Sequence, residues 1–225
     1  METLRIRDAM EGTRKLTRRE RENMRQRAEI FEAALRLFSE KGFHNVSMSQ
    51  IASEAEFGMG TLYKFFENKE NLYKALLMEM AEQCHNQMMN AIRAEHDPIS
   101  AIRKYVTTRH EIFFNNLELM RLYFAETTGA SYNLKAGLDR DLLKFYDELI
   151  EELALIFERG IGDKVFRAVD PYNMALALEG AINAVLWRLM DDPDRLRNSK
   201  DLPIIADLFF RGVLIQEAPG LEPDV

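Results

Sequence analysis

The chain has 225 residues, 47% of them hydrophobic, which suffices for the core of one large domain or two small ones. No run of about 18 apolar residues exists, which excludes a membrane-spanning helix, and the start, METLRIRDAMEGTRKL, lacks the apolar stretch of a signal peptide. Cys84 is the single cysteine, so no intrachain disulfide can form, as expected of a reducing cytoplasm.

The net charge of −7 argues at first against a nucleic-acid partner, but the charge is unevenly placed. Residues 1–70 carry 13 Lys/Arg and 12 Asp/Glu, and residues 71–225 carry 17 and 25. Residues 1–27 alone carry nine basic and five acidic side chains. A basic amino end on an acidic body restricts attraction for phosphates to that end.

Residues 1–16 show no periodicity and read as a mobile basic arm. Arg14, Lys15, Arg18, Arg19 and Arg21 would reach a minor groove or a phosphate backbone, or form a solvated tail that touches nothing. Thr17-Arg18-Arg19-Glu20 is a capping-box pattern, so the first helix is expected to begin there. It runs to Lys41 with Ile30, Phe31, Ala34, Leu35, Leu37 and Phe38 inward, and Gly42 stops it.

Ser47-Met48-Ser49-Gln50 is a second capping box, with Val46 and Ile51 at the positions of a hydrophobic staple. A short helix follows from Met48 to about Ala55. Gly58 caps the next one, in which Leu62, Phe65 and Phe66 form one buried stripe. That leaves Met59, Gly60, Thr61, Tyr63 and Lys64 facing outward. Two short helices around a brief turn, with polar groups at the start of the second, have the geometry that reads base edges in a major groove. The helix-turn-helix spans about residues 47–66. Asn68 caps a further helix and puts Lys69 in its first turn. A cation there opposes the helix dipole by roughly 0.3–1 kcal/mol unless it and the helix amides share an anion such as a phosphate. The ordinary alternative is a solvated lysine paired with Glu70 or Glu67.

Ile51-Ala52, Gly60-Thr61-Leu62-Tyr63, Phe66, Lys69-Glu70 and Leu72 resemble the DNA-binding domain of the TetR family of bacterial one-component repressors, over about residues 25–82. The resemblance implies an all-α protein. Its helix-turn-helix domain (17–72) would be followed by a helical effector-binding and dimerisation domain (73–216) and a flexible tail (217–225). It further implies a palindromic DNA operator, a homodimer and a small-molecule effector, with Ser47, Met59, Gly60, Thr61, Tyr63, Lys64 and Lys69 as DNA contacts. The family has glycine in the turn where this chain has Glu56. If that backbone needs a positive φ, Glu56 costs about 1–2 kcal/mol. Gly58 and Met59 replace more usual polar residues, so the family's base preferences do not carry over.

A long helix is expected from Lys69 to about His96, a lever near 40 Å at 1.5 Å per residue, ended by Asp97-Pro98. Helices then follow over 99–116 and 117–128. After a Gly/Ser/Asn break at 129–137 come 138–159, ended by Gly160-Ile161-Gly162, then 171–190 and 200–216. The last two are apolar nearly all round, so one monomer cannot cover them. They are expected to form a four-helix homodimer interface.

Within this acidic body Arg109, His110, Phe113, Tyr123, Glu126, Tyr146, Glu179, Asn183 and Trp187 are candidates for an effector pocket, an apolar cavity with a few polar groups. Each has an ordinary reading as core aromatic, hydrogen-bonded amide or ion pair, such as Arg109 with Glu126. The expected effector is small and apolar or amphipathic. Glu82-x-x-His85 has the spacing of bundle metal sites, but a second such motif is missing and Cys84 points away from His85. No G-x-S-x-G, phosphate-binding loop or G-x-G-x-x-G occurs, and His44, His85, His96 and His110 lack triad spacing. Neither a catalytic residue nor a metal or other cofactor is expected, and the membrane is not an expected partner. The alternative is an all-helical enzyme or small-molecule carrier with a degenerate helix-turn-helix. Whether a regulator of this kind represses, activates or acts without an effector stays open.

Overall fold

A computed structural model describes residues 17–118, 120, 132–190 and 201–214. Among these residues the fold is all-α. In order come α1 (Arg18–Lys41), a 3₁₀ turn (Phe43–Asn45), α2 (Met48–Glu54), α3 (Met59–Phe65), α4 (Lys69–Arg93), α5 (Pro98–Asn115), α6 (Tyr132–Gly162), α7 (Pro171–Met190) and α8 (Asp201–Val213). The chain divides into two compact units, Met1–Cys84 with Ile112–Phe145, and His85–Glu111 with Tyr146–Val225.

In the first unit local chemistry sets the helix ends. Thr17 and Glu20 close the capping box of α1, the Thr17 amide donating to Glu20 Oε2 at 2.8 Å and the Glu20 amide to Thr17 Oγ1 at 3.2 Å. Such a cap contributes about 1 kcal/mol. Gly42 leaves α1 at φ 76°, a left-handed value that glycine reaches without strain. The apolar stripe of α1 then packs with α2, α3 and the start of α4. Ile30, Ala34, Ile51, Leu62 and Leu72 are fully excluded from solvent. Aromatic rings fill the centre: Phe38, Phe43 and Tyr73 lie mutually within 5.6 Å, and Phe31 meets Phe66 at 5.3 Å. Arg27 crosses from α1 to Glu79 of α4 at 2.8 Å while its guanidinium lies over the Phe31 ring.

The second unit buries Ile102 and Tyr105 of α5, Ile150, Leu153 and Phe157 of α6, and Leu178 and Ile182 of α7. Phe157 meets Phe166 at 5.4 Å and Phe209 at 5.8 Å. The segment after α6 is tied to the end of α8: the Arg167 amide donates to the Val213 carbonyl at 2.8 Å, and Phe166 and Leu214 form an isolated bridge. Two side-chain contacts join α4 to α6, His85 Nε2 with Glu148 Oε2 at 3.1 Å and the ion pair of Arg93 with Glu152 at 2.9 Å.

Several bounds differ from the sequence expectation. α4 stops at Arg93, short of His96, because Asp97 is needed as the cap of α5: its carboxylate accepts from the Ser100 amide at 2.8 Å. Those bonds from Ser100 hold the Asp97 carboxyl below its ordinary value. Pro98 opens α5, since the first turn needs no donor from it. The break expected at 129–137 does not extend past residue 131. α6 already begins at Tyr132 and passes through Gly137, the glycine penalty of about 1 kcal/mol being offset elsewhere in a long helix. Nor does Gly160 break α6, which ends at Gly162. Most of the helix expected at 117–128 lies outside the described residues, as do both termini and 191–200.

Gly160 is required by a close approach. A Cβ on it would lie 2.2 Å from Cδ2 of Phe166, whose amide donates to the Gly160 carbonyl at 3.1 Å. Gly160→Ala, although favourable for a helix in isolation, is expected to lower stability by about 1–3 kcal/mol through overpacking. Urea unfolding followed by circular dichroism measures it.

Candidate nucleic-acid interface and buried polar cluster

The turn between α2 and α3 is a Schellman motif. The Phe57 amide donates to the Ala52 carbonyl at 2.8 Å and the Glu56 amide to the Ser53 carbonyl at 3.2 Å. The motif needs a left-handed residue at the position Glu56 holds, and Glu56 adopts φ 56°. The missing glycine therefore leaves the turn intact and costs about 1 kcal/mol. Ser47 caps α2: its Oγ accepts from the Gln50 amide at 3.3 Å, and Gln50 returns its side chain to the Ser47 amide at 2.8 Å.

These anchors set the direction of α3. Leu62 and Phe66 are buried, and Met59, Gly60, Tyr63 and Lys64 are exposed, Tyr63 by 53%. Thr61 is half-exposed beside them. The outward set expected of a reading helix thus lies together on one face. Lys64 is steadied by Asn23 of α1, whose Oδ1 accepts from Nζ at 2.6 Å, a partner the sequence pattern does not reveal across 41 residues.

Lys69 is a correction. In place of an outward side chain, its Nζ donates to the carbonyls of Phe43 at 2.7 Å and Val46 at 2.8 Å, and lies 4.4 Å from the Phe43 ring centroid. The carbonyls of the 3₁₀ corner attract the ammonium inward, which also relieves its conflict with the dipole of α4. The start of α4 is capped by Asn68, whose Oδ1 accepts from the Asn71 amide at 2.7 Å.

In the second unit the polar candidates divide. Glu179, 1% exposed, accepts hydrogen bonds from the Tyr105 hydroxyl and from Asn183 Nδ2 at 3.2 Å. Arg109 donates to Asn183 Oδ1 at 2.9 Å and brings its charge within 3.7 Å of Glu179. Arg109, Glu179 and Asn183 are therefore one network, and Tyr105 completes it. Tyr105 lies four residues before Arg109, on the same helix face, and that spacing was its signal in the sequence. Burial, and then the Glu179 charge, push the Tyr105 phenol well above its ordinary value. Tyr146 is raised for the same two reasons, burial first. Burial lowers the half-buried His110. Phe113 falls in the first unit, edge-on to Phe114 at 5.7 Å. Tyr123, Glu126 and the side chain of Trp187 lie outside the described residues. Among the described residues no group of three His, Cys, Asp or Glu is placed to hold a metal ion, and no helix is long and apolar enough to cross a membrane.

The family model of bacterial regulatory proteins of the tetR family matches residues 30–76. The HTH-type transcriptional regulator RutR of Escherichia coli K12 is 31% identical over 119 residues, which are 53% of this chain and 56% of that protein. The chain thus spans about half the length of this curated relative. Among solved structures, FadR of Bacillus subtilis in complex with stearoyl-CoA aligns with a TM-score of 0.64 at 21% identity, over 82% of this chain and 95% of that one. A SmeT–triclosan complex aligns with a TM-score of 0.71 at 16% identity, over 89% and 98%. At such identities the likeness of the solved structures is one of fold.

Two substitutions test the local reading of the head. Glu56→Gly is expected to raise stability by about 1 kcal/mol by removing left-handed strain. Lys69→Ala is expected to lower it by roughly 1–2 kcal/mol, as two charge-assisted bonds to carbonyls are lost from a half-buried site. Paired urea denaturation curves check both signs.

Proposed function

We propose that the chain, whose residues 30–76 match the tetR family of bacterial regulatory proteins, is a cytoplasmic, ligand-responsive transcriptional repressor. It binds a palindromic operator as a homodimer and leaves it when a small apolar or amphipathic effector binds. The observation that carries this reading is the face of α3: Gly60, Thr61, Tyr63 and Lys64 stand at the surface while Leu62 and Phe66 lock the helix to the core. Ser47, at the exposed start of α2, and Met59 join this contact set. For Lys69 the role is indirect, holding the corner before α2.

The homodimer reading rests on apolar surface. Tyr172 and Leu176 of α7 and Ile204 and Leu208 of α8 are exposed, Leu208 by 59%. Ala177, Gly180 and Ala184 continue the α7 stripe with small residues that permit close helix packing. Two copies joined there would offer two reading heads to half-sites roughly 34–36 Å apart.

The effector reading rests on the network of Arg109, Glu179, Asn183 and Tyr105 inside apolar helices, with His110 and Tyr146 of the same unit as further candidates. The two structural neighbours are complexes with stearoyl-CoA and with triclosan, and an apolar or amphipathic molecule is proposed here on the same pattern. Its binding would favour a conformation with the heads wrongly spaced, by its difference in affinity between the two states, with α4 transmitting the tilt.

The experiment is a gel-shift series on the protein's own upstream DNA across salt concentrations. The wild type is expected to bind as two copies. Tyr63→Phe weakens binding and Thr61→Ala changes sequence preference more than salt slope. Leu176→Glu combined with Leu208→Glu gives single chains in sedimentation and at least a hundredfold weaker binding, the loss expected when two linked sites become one. Wild-type protein that sediments as one chain, or Tyr63→Phe that binds unchanged, contradicts the reading.

A further inference from the structure

We propose that Met59 reads the 5-methyl group of a thymine in the operator's major groove and is a specificity-determining residue of this protein; this rests on the DNA-binding reading above. Met59 is the first residue of α3 and is 36% exposed. It stands between Gly58 and Gly60, and a Cβ at either glycine would meet nothing within 4 Å. Neither glycine has a positive φ. Packing and backbone conformation within the chain therefore give no reason for them. Gly58 also forgoes the side-chain hydrogen bond that serine or asparagine would make as the cap of α3. The effect is a bare backbone on both sides of a partly exposed methionine, which lets an outside surface come close to it.

The chemistry of Met59 narrows what that surface presents. A thioether has no donor and only a weak acceptor, so it cannot read the polar edges of guanine, adenine or cytosine. In the major groove the apolar feature of a base edge is the thymine methyl. Met59 is unbranched and flexible enough to cover it. Thr61 and Tyr63 carry hydroxyls suited to polar edges or phosphates. Met24 of α1 is exposed too, but Asn23 and Arg25 flank it with side chains of their own, so it lacks the bare surround.

The test begins by selecting bound duplexes from a randomised library with the full-length protein. Each thymine of the selected site is then replaced in turn by deoxyuridine, which removes the methyl alone. The expected result is one thymine per half-site whose replacement weakens the wild type about three- to fivefold, the effect of one buried methyl. The same replacement should leave Met59→Ala unaffected. The inference is overturned if no replacement weakens the wild type, or if the sensitive thymine stays sensitive in Met59→Ala. Failure to select any duplex would instead overturn the DNA-binding reading, and it would appear before any uracil was introduced.

Discussion

A single ammonium group ties together the two helices that frame the helix-turn-helix. Lys69, at the start of α4, donates to the carbonyls of Phe43 and Val46 and lies against the Phe43 ring. Those carbonyls belong to the corner between α1 and α2. The bond therefore ties the beginning of the fourth helix to the entrance of the second, with the whole helix-turn-helix enclosed between them. α2 and α3 have seven residues each, far below the length at which an isolated helix is stable in water. Their orientation has to come from outside, through the Lys69 tie, the buried Leu62 and Phe66, and the Schellman turn that Glu56 completes despite its strain. With its interior held this way, α3 can leave its other face uncommitted to the fold.

The second unit follows a different rule. A carboxylate that is almost fully buried needs hydrogen-bond donors and a nearby positive charge. Glu179 obtains them from Tyr105, Asn183 and Arg109. The result is a polar spot organised within apolar helices, where small rearrangements carry large electrostatic consequences because water screens little. The apolar stripes of α7 and α8 stand in contrast, with Tyr172, Leu176, Ile204 and Leu208 exposed.

Much of the head was legible because its signals are local. Thr17 with Glu20 and Ser47 with Gln50 lie three residues apart, and each pair made the capping box its spacing implies. Gly42 stops α1, and the i, i+3, i+4 stripe of α3 separates its inner and outer faces. Lys69 was harder to place. Its neighbours in sequence, Glu67 and Glu70, suggested a solvated or phosphate-facing cation, whereas its partners lie 23 and 26 residues away. Gly160 was misleading for a related reason. Glycine signals a break by local propensity, but here the helix continues to Gly162, and the glycine serves instead to leave room for the Phe166 ring.

Residue order by itself determined the all-helical class, the ends of the short amino-terminal helices and the outward set on α3, since these depend on hydrogen bonds and periodicity within a few residues. Only the tertiary structure decided that Lys69 turns inward, that Asn23 steadies Lys64, and that Tyr105 joins Arg109, Asn183 and Glu179. The deciding contacts, Lys69 with Phe43 and Val46, Lys64 with Asn23, and Tyr105 and Arg109 with Glu179 and Asn183, join residues far apart along the chain. Hydrogen-bond capacity can be read from a side chain's type, but its partner is chosen by which helices pack together.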